Sequence, residues 1–434
     1  MYLALFVPSR IEIRDEEIFL TMSTQILETG IPRYPVGGEW MIPRFSPVYP
    51  AVLASYASVA KPIGISLYGY MGEATADMLN WGIVSAFNLI FVTGIFVLLM
   101  LHVKHDAALW FLAITSSMLL FYGTTLFMEP FQAFLLLAAV VAFSGKRLFL
   151  SSLLLALLIG AKLPNIVFAP IFTLVLMVRR RTWKPALAYL ILAGVLPLMM
   201  HMAYNAAFRG APFDFGYSHA YPDEMTGRAV QQGFQNPFGR SLIGYLISPG
   251  KSFFLYNPAL LPGLAGLVLG TKKKELLPTL CLAMSAASVL LYAGWSSWEG
   301  GVCYGPRFLV VMIPLVMVGF AYIDLARFRV SFVLLVLAGW TINMMARAGA
   351  LYPAYEATGR YGTGDSFPLT YDFFGVMLRA YAMVWNGDAH TVLLIPRLLG
   401  GSVTAFGAWT FAAAVIVATC VTFWCIKAKN AKLS

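Results

Sequence analysis

Charged residues are scarce in this sequence. Only 12% of its 434 residues are charged, whereas 59% are hydrophobic, and a soluble globular domain carries about 25% charged residues. The mean hydropathy of +0.75 points the same way. These values exclude an ordinary soluble domain and predict a polytopic α-helical membrane protein.

Cysteine frameworks, metal ligands and phosphate loops are also missing. The four cysteines (Cys281, Cys303, Cys420 and Cys425) form no Cys-x-x-Cys pair, so no disulfide framework is implied. The five histidines lack the spacing of metal ligands. No glycine-rich loop follows a strand pattern, which argues against a nucleotide-hydrolysing domain. We therefore expect neither a metal nor a cofactor.

Long apolar runs divide the chain into candidate membrane spans. A helix needs roughly 17–25 apolar residues to cross the hydrocarbon core. Eleven runs approach that length, and the first seven residues read as the end of a twelfth. The runs are 76–101, 107–127, 130–145, 148–162, 164–178, 185–206, 252–270, 276–294, 308–323, 330–345 and 403–425. We predict an all-α polytopic membrane protein of about 11–12 transmembrane helices, with extracytoplasmic loops and surface helices, as a single domain over residues 1–434.

Basic residues identify the cytoplasmic side. Strictly alternating spans place fifteen Lys and Arg residues but only three acidic residues in the short loops of one side. The other side holds the remaining fifteen basic and seventeen acidic residues. Because basic residues crowd short cytoplasmic loops, the net charge of +10 reflects topology rather than a nucleic-acid partner. The long loops then lie outside, at residues 8–75, 207–251, 295–307 and 346–402.

The acidic triplet Asp15-Glu16-Glu17 opens the first outer loop. Residues 16–29 follow with the periodicity of an amphipathic helix on the membrane surface, and Gly30 is expected to end it. From the residues alone, the triplet is most simply an N-terminal cap followed by a solvated acidic face, because the helix dipole favours negative charge there.

Several stretches of the predicted outer face carry a further pattern. An acid–proline pair opens one span, and later stretches combine Gly, Pro, Tyr and a basic residue. In chain order they read RDEEIFLTMSTQILETG, RFSPVYPAVLASYASVAKPIG, TTLFMEPFQAFLLL, AYNAAFRGAPFDFGYSHAY, LISPGKSFFLYNPALL and WEGGVCYGPRFLVVMIPL. Their order and common side resemble the GT-C superfamily of membrane glycosyltransferases. The resemblance is closest to its protein O-mannosyltransferase and lipid A aminoarabinose transferase branch.

The resemblance implies an enzyme that takes a sugar from a polyprenyl-phosphate donor. It passes the sugar, a hexose or a pentose, to an acceptor hydroxyl on the extracytoplasmic face. The acceptor is a glycolipid, a polysaccharide or a protein. Such an enzyme is a multi-pass protein among membrane lipids, here expected in the bacterial inner or plasma membrane. We expect its reaction to be independent of metal.

Two carboxylates are candidates for acid–base chemistry. An acceptor hydroxyl must lose a proton as it attacks the anomeric carbon, and a nearby carboxylate can accept it. The family pattern assigns that role to Asp15, although Glu16 and Glu17 leave the register open and also make Glu16 a substrate-binding candidate. Glu129 precedes a proline at the edge of a span, where an acid is costly unless it is paired or functional. We expect Glu129 to orient the acceptor or to share its proton, or else to pair with Lys162; the simpler alternative is an exposed turn residue.

The departing lipid phosphate needs cationic partners. An arginine suits this role because its guanidinium makes paired hydrogen bonds with phosphate oxygens. The candidates on the predicted outer face are Arg307, Lys251, Arg240 and Lys162, each of which is otherwise an interfacial anchor. Glu299 and Tyr304 share the loop of Arg307 and are candidates for binding the sugar hydroxyls.

A multi-span transporter or lipid flippase is the main alternative. Such proteins carry charged residues in mid-span, facing a pathway. Here the predicted span interiors carry almost none, with His201 as the main exception. Charge gathers at the outer edge instead, which favours chemistry at an interface over passage through the bilayer.

Overall fold

Helices make up most of the structure, as the composition predicts. The computed structural model describes residues 14–36, 39–42, 45–60, 82–103, 106–180, 182–215, 233–234, 236–300, 303–349, 373–389, 393–400 and 402–430. Its α-helices are α1 (Arg14–Thr29), α2 (Val48–Ala60), α3 (Leu89–His102), α4 (Ala107–Thr115), α5 (Leu119–Tyr122), α6 (Glu129–Ser144), α7 (Leu148–Ala161), α8 (Phe168–Arg180), α9 (Trp183–Leu190), α10 (Leu196–Arg209), α11 (Phe238–Ile247), α12 (Phe253–Tyr256), α13 (Leu261–Lys272), α14 (Leu276–Ala293), α15 (Ile313–Met317), α16 (Arg329–Ala348), α17 (Phe373–Trp385), α18 (Leu394–Leu398) and α19 (Val403–Asn430). Two short strands, β1 (Tyr34–Val36) and β2 (Glu39–Met41), pair antiparallel between α1 and α2.

Five helical segments of the described residues are long and apolar enough to cross a membrane. They are Gly82–His102, Trp183–Arg209, Leu276–Ala293, Arg329–Ala348 and Val403–Ile426. Shorter apolar helices, including Glu129–Ser144 and Leu148–Ala161, correspond to other predicted spans. Within the described residues, each of the eleven predicted runs therefore coincides with helical structure, although not each is one continuous helix. Residues 76–81 of the first run and the partial run at residues 1–7 lie outside the described residues.

The run 107–127 is a broken helix rather than the continuous span that the sequence predicts. α4 ends at Thr115, and α5 covers only four residues. The hydroxyls of Thr115 and Ser117 donate hydrogen bonds to backbone carbonyls of the preceding turn. Such side-chain bonds offer the backbone an alternative to a continued helix. The break leaves an irregular turn at residues 123–128, directly before Glu129.

α6 lies in the interior of the helical layer. Nearly all its side chains are buried, since its sequence is apolar on every side and leaves no face suited to water. It packs against α3, α7, α14 and the 3₁₀ helix Arg307–Met312. Because Glu129 occupies its first turn, the start of α6 carries a carboxylate into the interior of the protein.

The predicted helix of the first outer loop is present, with two differences. It begins at Arg14, so Asp15 lies inside its first turn, and it ends as predicted at Gly30, which has φ +75°. It is also more buried than a surface helix, because it packs on α2. Ser23 is fully buried in this contact, and its hydroxyl donates to the carbonyl of Pro50. The side chain of Asp15 lies outside the described residues.

Two predicted outer loops contain additional helices. α17 and α18 lie within 346–402, and α16 extends to Ala348, so Arg347 belongs to a buried helical turn rather than to a loop. α11 lies within 207–251 and packs on α14. It lies close to Trp298 because Gly244 has no side chain: a Cβ at Gly244 would lie 2.2 Å from the Trp298 ring. These helices contain aromatic and apolar residues that favour burial. The prediction of loops at 207–251 and 346–402 did not take these residues into account.

Candidate active site

A cavity of about 460 Å³ lies where several helix ends meet. The start of α6, the ends of α7, α10 and α14, and the segment at 307–308 contribute to it. The distribution of basic residues predicts that all of these lie on one side of the membrane. Cavities of roughly 300–1,000 Å³ are typical of small-ligand sites. Its charged and hydrogen-bonding lining residues include Glu129, Lys162, His201, Asn205, Arg209 and Arg307.

Glu129 is held by the turn that precedes it. Asn88 of the segment before α3 donates to the carbonyls of Thr125 and Phe127 at 2.6 and 2.5 Å, and its own amide oxygen accepts from Tyr49 at 3.2 Å. The Glu129 side chain is only 4% exposed, and no hydrogen-bond donor among the described residues reaches its Oε2 atom. A buried polar atom without a partner is rare in folded proteins. Glu129 is therefore positioned to receive a donor from a bound molecule.

Two further buried side chains hold the same turn. Glu16 of α1 accepts the backbone N–H of Leu126 at 2.9 Å. Arg347 of α16 donates to the hydroxyl and the carbonyl of Thr124 at 2.8 and 3.2 Å. Three elements that are distant in sequence thus fix the backbone before Glu129.

Lys162 directly follows the last residue of α7 and lines the cavity. Its ammonium group lies 4.3 Å from the ring centre of Phe308 and 5.0 Å from that of Tyr292. These are cation–π distances. The two aromatic rings hold the ammonium beside the cavity, where an anion can also reach it.

Arg307 begins the next segment of the lining. Its guanidinium carbon lies 5.1 Å from the ring centre of Phe308 and 5.3 Å from that of Phe127. Arg307 and Lys162 therefore approach the same aromatic ring. This arrangement brings two cations to one wall of the cavity.

The loop that precedes Arg307 is anchored by Lys251. Its fully buried ammonium donates to the carbonyls of Cys303 and Gly305 at 2.9 and 3.1 Å. Burial lowers the pKa of Lys251 below its usual range, against the raising effect of Cys303 and Glu299. Burial likewise raises the pKa of Glu299, although Lys251 and Arg307 oppose that shift. Lys251 therefore supports the Arg307 loop, and Glu299 interacts electrostatically with both Lys251 and Arg307.

A polar face of α10 completes the lining. His201, Asn205 and Arg209 follow one another at intervals of four residues, so one helix face carries all three. Arg209 donates to the carbonyl of Asp214 at 3.0 Å and to the amide oxygen of Asn205 at 3.4 Å. Arg209 was not among the residues predicted from the sequence, although this i, i+4, i+8 pattern in an otherwise apolar helix was the signal that could have identified it.

The structure thus brings three predicted site residues together around the cavity: Glu129, Lys162 and Arg307. Glu16 and Lys251 are buried behind the lining and make the backbone contacts described above. Tyr304 is buried too, with its hydroxyl bonded to the amide oxygen of Asn343 at 2.9 Å.

Three other predicted residues have different placements. Arg240 and Glu299 lie outside the lining of the cavity. They are close enough to interact electrostatically with each other, and Glu299 also interacts with Arg307. The backbone of Asp15 lies one helical turn before Phe19, which does line the cavity. One turn corresponds to about 5.4 Å along the helix axis.

The remaining walls are mainly apolar and aromatic. They include Phe45, Phe127, Ile166, Val167, Tyr292 and Trp295. Three cationic side chains, one buried carboxylate and a long apolar surface therefore share one cavity. This combination suits an amphipathic anion, because the charged groups bind its polar head and the walls bind its apolar chain.

The fold is similar to that of a solved membrane protein. No protein-family model matches the sequence, and a search of curated proteins gives no match. The crystal structure of ArnT from Cupriavidus metallidurans in the apo state superposes with a TM-score of 0.53 at 12% sequence identity. The similarity covers 97% of this chain and 74% of that chain. The chain is therefore a mostly helical integral membrane protein whose polytopic fold is like that of ArnT.

Proposed function

We propose that the protein is a membrane glycosyltransferase that uses a polyprenyl-phosphate sugar as donor. The observation that carries this proposal is the cavity, where Lys162, Arg209 and Arg307 face one buried carboxylate between apolar walls. The fold similarity to ArnT, a lipid A aminoarabinose transferase, supports the same class of reaction.

Lys162 and Arg307 are the proposed partners of the donor phosphate. As the glycosidic C–O bond breaks, the phosphate leaves with the bonding electrons and gathers negative charge. Fixed cationic groups stabilise such charge most effectively in a site that excludes water. The shared contact with Phe308 keeps both cations near one point. We propose that these side chains perform the role that a metal plays elsewhere, so the reaction needs none.

Asp15 and Glu129 are the proposed carboxylates of the reaction. The acceptor hydroxyl forms a bond to the anomeric carbon, and its proton passes to Asp15 as general base. The position of Asp15 one turn before Phe19 supports this assignment. Glu129 accepts a hydrogen bond from the acceptor or from the sugar through its Oε2 atom.

The reaction is proposed for the extracytoplasmic face of the membrane. The distribution of basic residues supports that side, because the lining segments lie opposite the short basic loops. The acceptor is proposed to be a glycolipid, a polysaccharide or a protein, and it reaches the cavity from this side.

A transfer assay tests the proposal. The purified protein in nanodiscs is given undecaprenyl phosphate carrying radiolabelled mannose, glucose or arabinose, with an extract of envelope glycolipids as acceptor. We expect release of undecaprenyl phosphate from at least one donor. General-base catalysis contributes about 10²–10⁴-fold, so Asp15→Asn should lower kcat by that factor. Glu129→Gln should have a smaller effect and lower kcat by about 10–10²-fold.

Glu28→Gln is the matched control, since Glu28 is an exposed acid on the same helix as Asp15. It should leave the transfer rate unchanged, as should chelation of divalent metals. If the wild type releases no lipid phosphate from these donors but moves labelled lipid between leaflets, the flippase reading replaces the enzyme. If Asp15→Asn retains full activity, the assignment of the base is wrong.

A further inference from the structure

The end of α7 is held by side chains from three separate segments. The last four carbonyls of a helix have no partner within it. Here the carbonyl of Ile159 accepts a hydrogen bond from His201 at 3.0 Å, and that of Gly160 accepts one from Ser46. Lys162 is the next residue after this helix end.

Asn165 completes this group from the far side of Lys162. Its amide nitrogen donates to the carbonyl of Leu158 at 3.2 Å and to the side-chain oxygen of Gln132 at 2.9 Å. Gln132 lies three residues after Glu129 on α6. The contact therefore links the segment that carries Lys162 to the helix that carries Glu129.

We propose that His201 is a positioning residue for Lys162, with Ser46 and Asn165 in supporting roles. The inference rests on the proposed function, because it assumes that Lys162 meets the donor phosphate. Without His201 and Ser46, the carbonyls of Ile159 and Gly160 would lose these side-chain donors, and the helix end that precedes Lys162 would be less firmly held. His201 fixes it from α10, which also carries Arg209 to the cavity.

The hydrogen bond defines the chemical state of His201. A carbonyl oxygen only accepts, so Nε2 must carry the proton, and in the neutral ring Nδ1 is then the unprotonated nitrogen. This leaves two distinct roles for a histidine that lines the cavity. Either Nε2 matters, because it holds the end of α7, or Nδ1 matters, because it takes a proton from the acceptor.

Two amide substitutions separate these roles. The nitrogen of a glutamine side chain can reach the position of Nε2, whereas that of asparagine lies nearer the position of Nδ1. His201→Gln should therefore keep the affinity for undecaprenyl phosphate and the transfer rate within about threefold of the wild type. His201→Asn and His201→Leu should weaken binding of undecaprenyl phosphate by about tenfold, since small displacements of a positioned group are costly.

A double-mutant cycle shows whether His201 acts through Lys162. Lys162→Met should itself weaken binding of undecaprenyl phosphate. In that background His201→Leu should not weaken binding of undecaprenyl phosphate any further. With Lys162 present, the same substitution should weaken this binding by the full factor of about ten. Ser46→Ala, compared with Ser46→Thr, repeats the comparison at the second carbonyl.

A spectroscopic measurement tests the contact without any substrate. The protein has five histidines, and ¹⁵N-histidine labelling with His201→Gln as the reference identifies the His201 signals. We expect the tautomer with the proton on Nε2. A proton on Nδ1 of the neutral ring would overturn the proposal, because Ile159 would then receive no hydrogen bond from it.

The outcomes are distinguishable from failure of the proposed function. If the wild type neither binds undecaprenyl phosphate nor transfers sugar, the enzyme assignment fails, and the tautomer alone decides whether His201 holds α7. If the wild type is active but all three His201 variants lose activity, His201 is a proton acceptor and not a positioning residue. If His201→Leu and Lys162→Met have additive effects, His201 does not act through Lys162.

Discussion

Gly300→Ala tests whether the placement of Arg307, apart from its charge, limits the reaction. Gly300 lines the cavity and has φ +78°. A Cβ at this position would lie 2.9 Å from Cγ and 3.2 Å from Nε of Arg307. Carbon atoms pack at about 3.5–4.0 Å, so the arginine side chain must move by roughly 0.6–1.1 Å. The substitution therefore moves the guanidinium of Arg307 but does not remove its positive charge.

The expected loss follows from this displacement. A misplacement of about 1 Å at a reacting group can cost up to 10²-fold in rate. We expect kcat/KM for the donor to fall by about 10–100-fold, measured with the donor that supports wild-type transfer. Alanine in the left-handed region also costs about 1 kcal/mol of folding stability. The thermal midpoint should therefore fall by only a few degrees.

Gly387→Ala is the matched control for backbone strain. Gly387 has φ +82°, and a Cβ there would meet only Val403 at an ordinary 3.5 Å. It should lower the thermal midpoint about as much as Gly300→Ala and leave kcat/KM unchanged. Two results would refute the reasoning. One is a Gly300→Ala enzyme with normal kcat/KM, and the other is an equal loss of activity in Gly387→Ala.

Three further predictions concern stability, each measured as a thermal midpoint in nanodiscs against the wild type. Arg347→Met should lower the free energy of unfolding by about 1.5–3 kcal/mol, because it removes charge-assisted hydrogen bonds to Thr124 in a buried site. An unchanged thermal midpoint would contradict this prediction. Gly319→Ala should cost at least about 1–3 kcal/mol, because its Cβ would lie 1.8 Å from the carbonyl oxygen of Gly263 and force two helical segments apart. Burial raises the pKa of Glu299 above its usual value near 4.3, so the folded protein holds this proton more tightly than the unfolded chain. Stability should therefore fall as pH rises from the usual value to the raised pKa, and Glu299→Gln should abolish that fall; a persisting fall would assign it to another group.

The sequence predicted the helices well because their signal is local. Within the described residues, each apolar run corresponds to helical structure, and the stop at Gly30 lies where a residue that tolerates positive φ was expected. The break at Thr115 was missed because it depends on which hydroxyls turn back to the backbone. Hydrophobicity alone does not report that choice.

The candidate site was predicted in part for the same reason. Glu129, Lys162 and Arg307 stand next to span ends, where an ionisable residue is conspicuous against an apolar run. Arg209 was overlooked because its partners on the helix face, four and eight residues earlier, are Asn205 and His201 rather than other charged residues. A helical period read over polar residues, and not only over apolar ones, would have identified this face.

The supporting contacts could not be read from sequence at all. The turn of six residues before Glu129 is held by Glu16, Asn88 and Arg347. The first and the last of these residues are more than 300 positions apart in the sequence. Such contacts depend on packing between distant segments, and no local pattern marks them. The same holds for Lys251, which the sequence indicated as a ligand of phosphate and which the structure places on the backbone of the Arg307 loop.

The distribution of these buried bonds bears on the choice between enzyme and transporter. Alternating access requires a segment that can exchange one set of contacts for another. Around this cavity the turn before Glu129 and the loop before Arg307 are instead fixed by buried hydrogen bonds, and leaving one buried partner unsatisfied costs about 1–3 kcal/mol. Several such bonds would have to break together for either segment to move. A rigid wall of this kind suits a site that must hold charged groups at a fixed distance from a bond being broken, and it argues against a moving gate in this part of the protein.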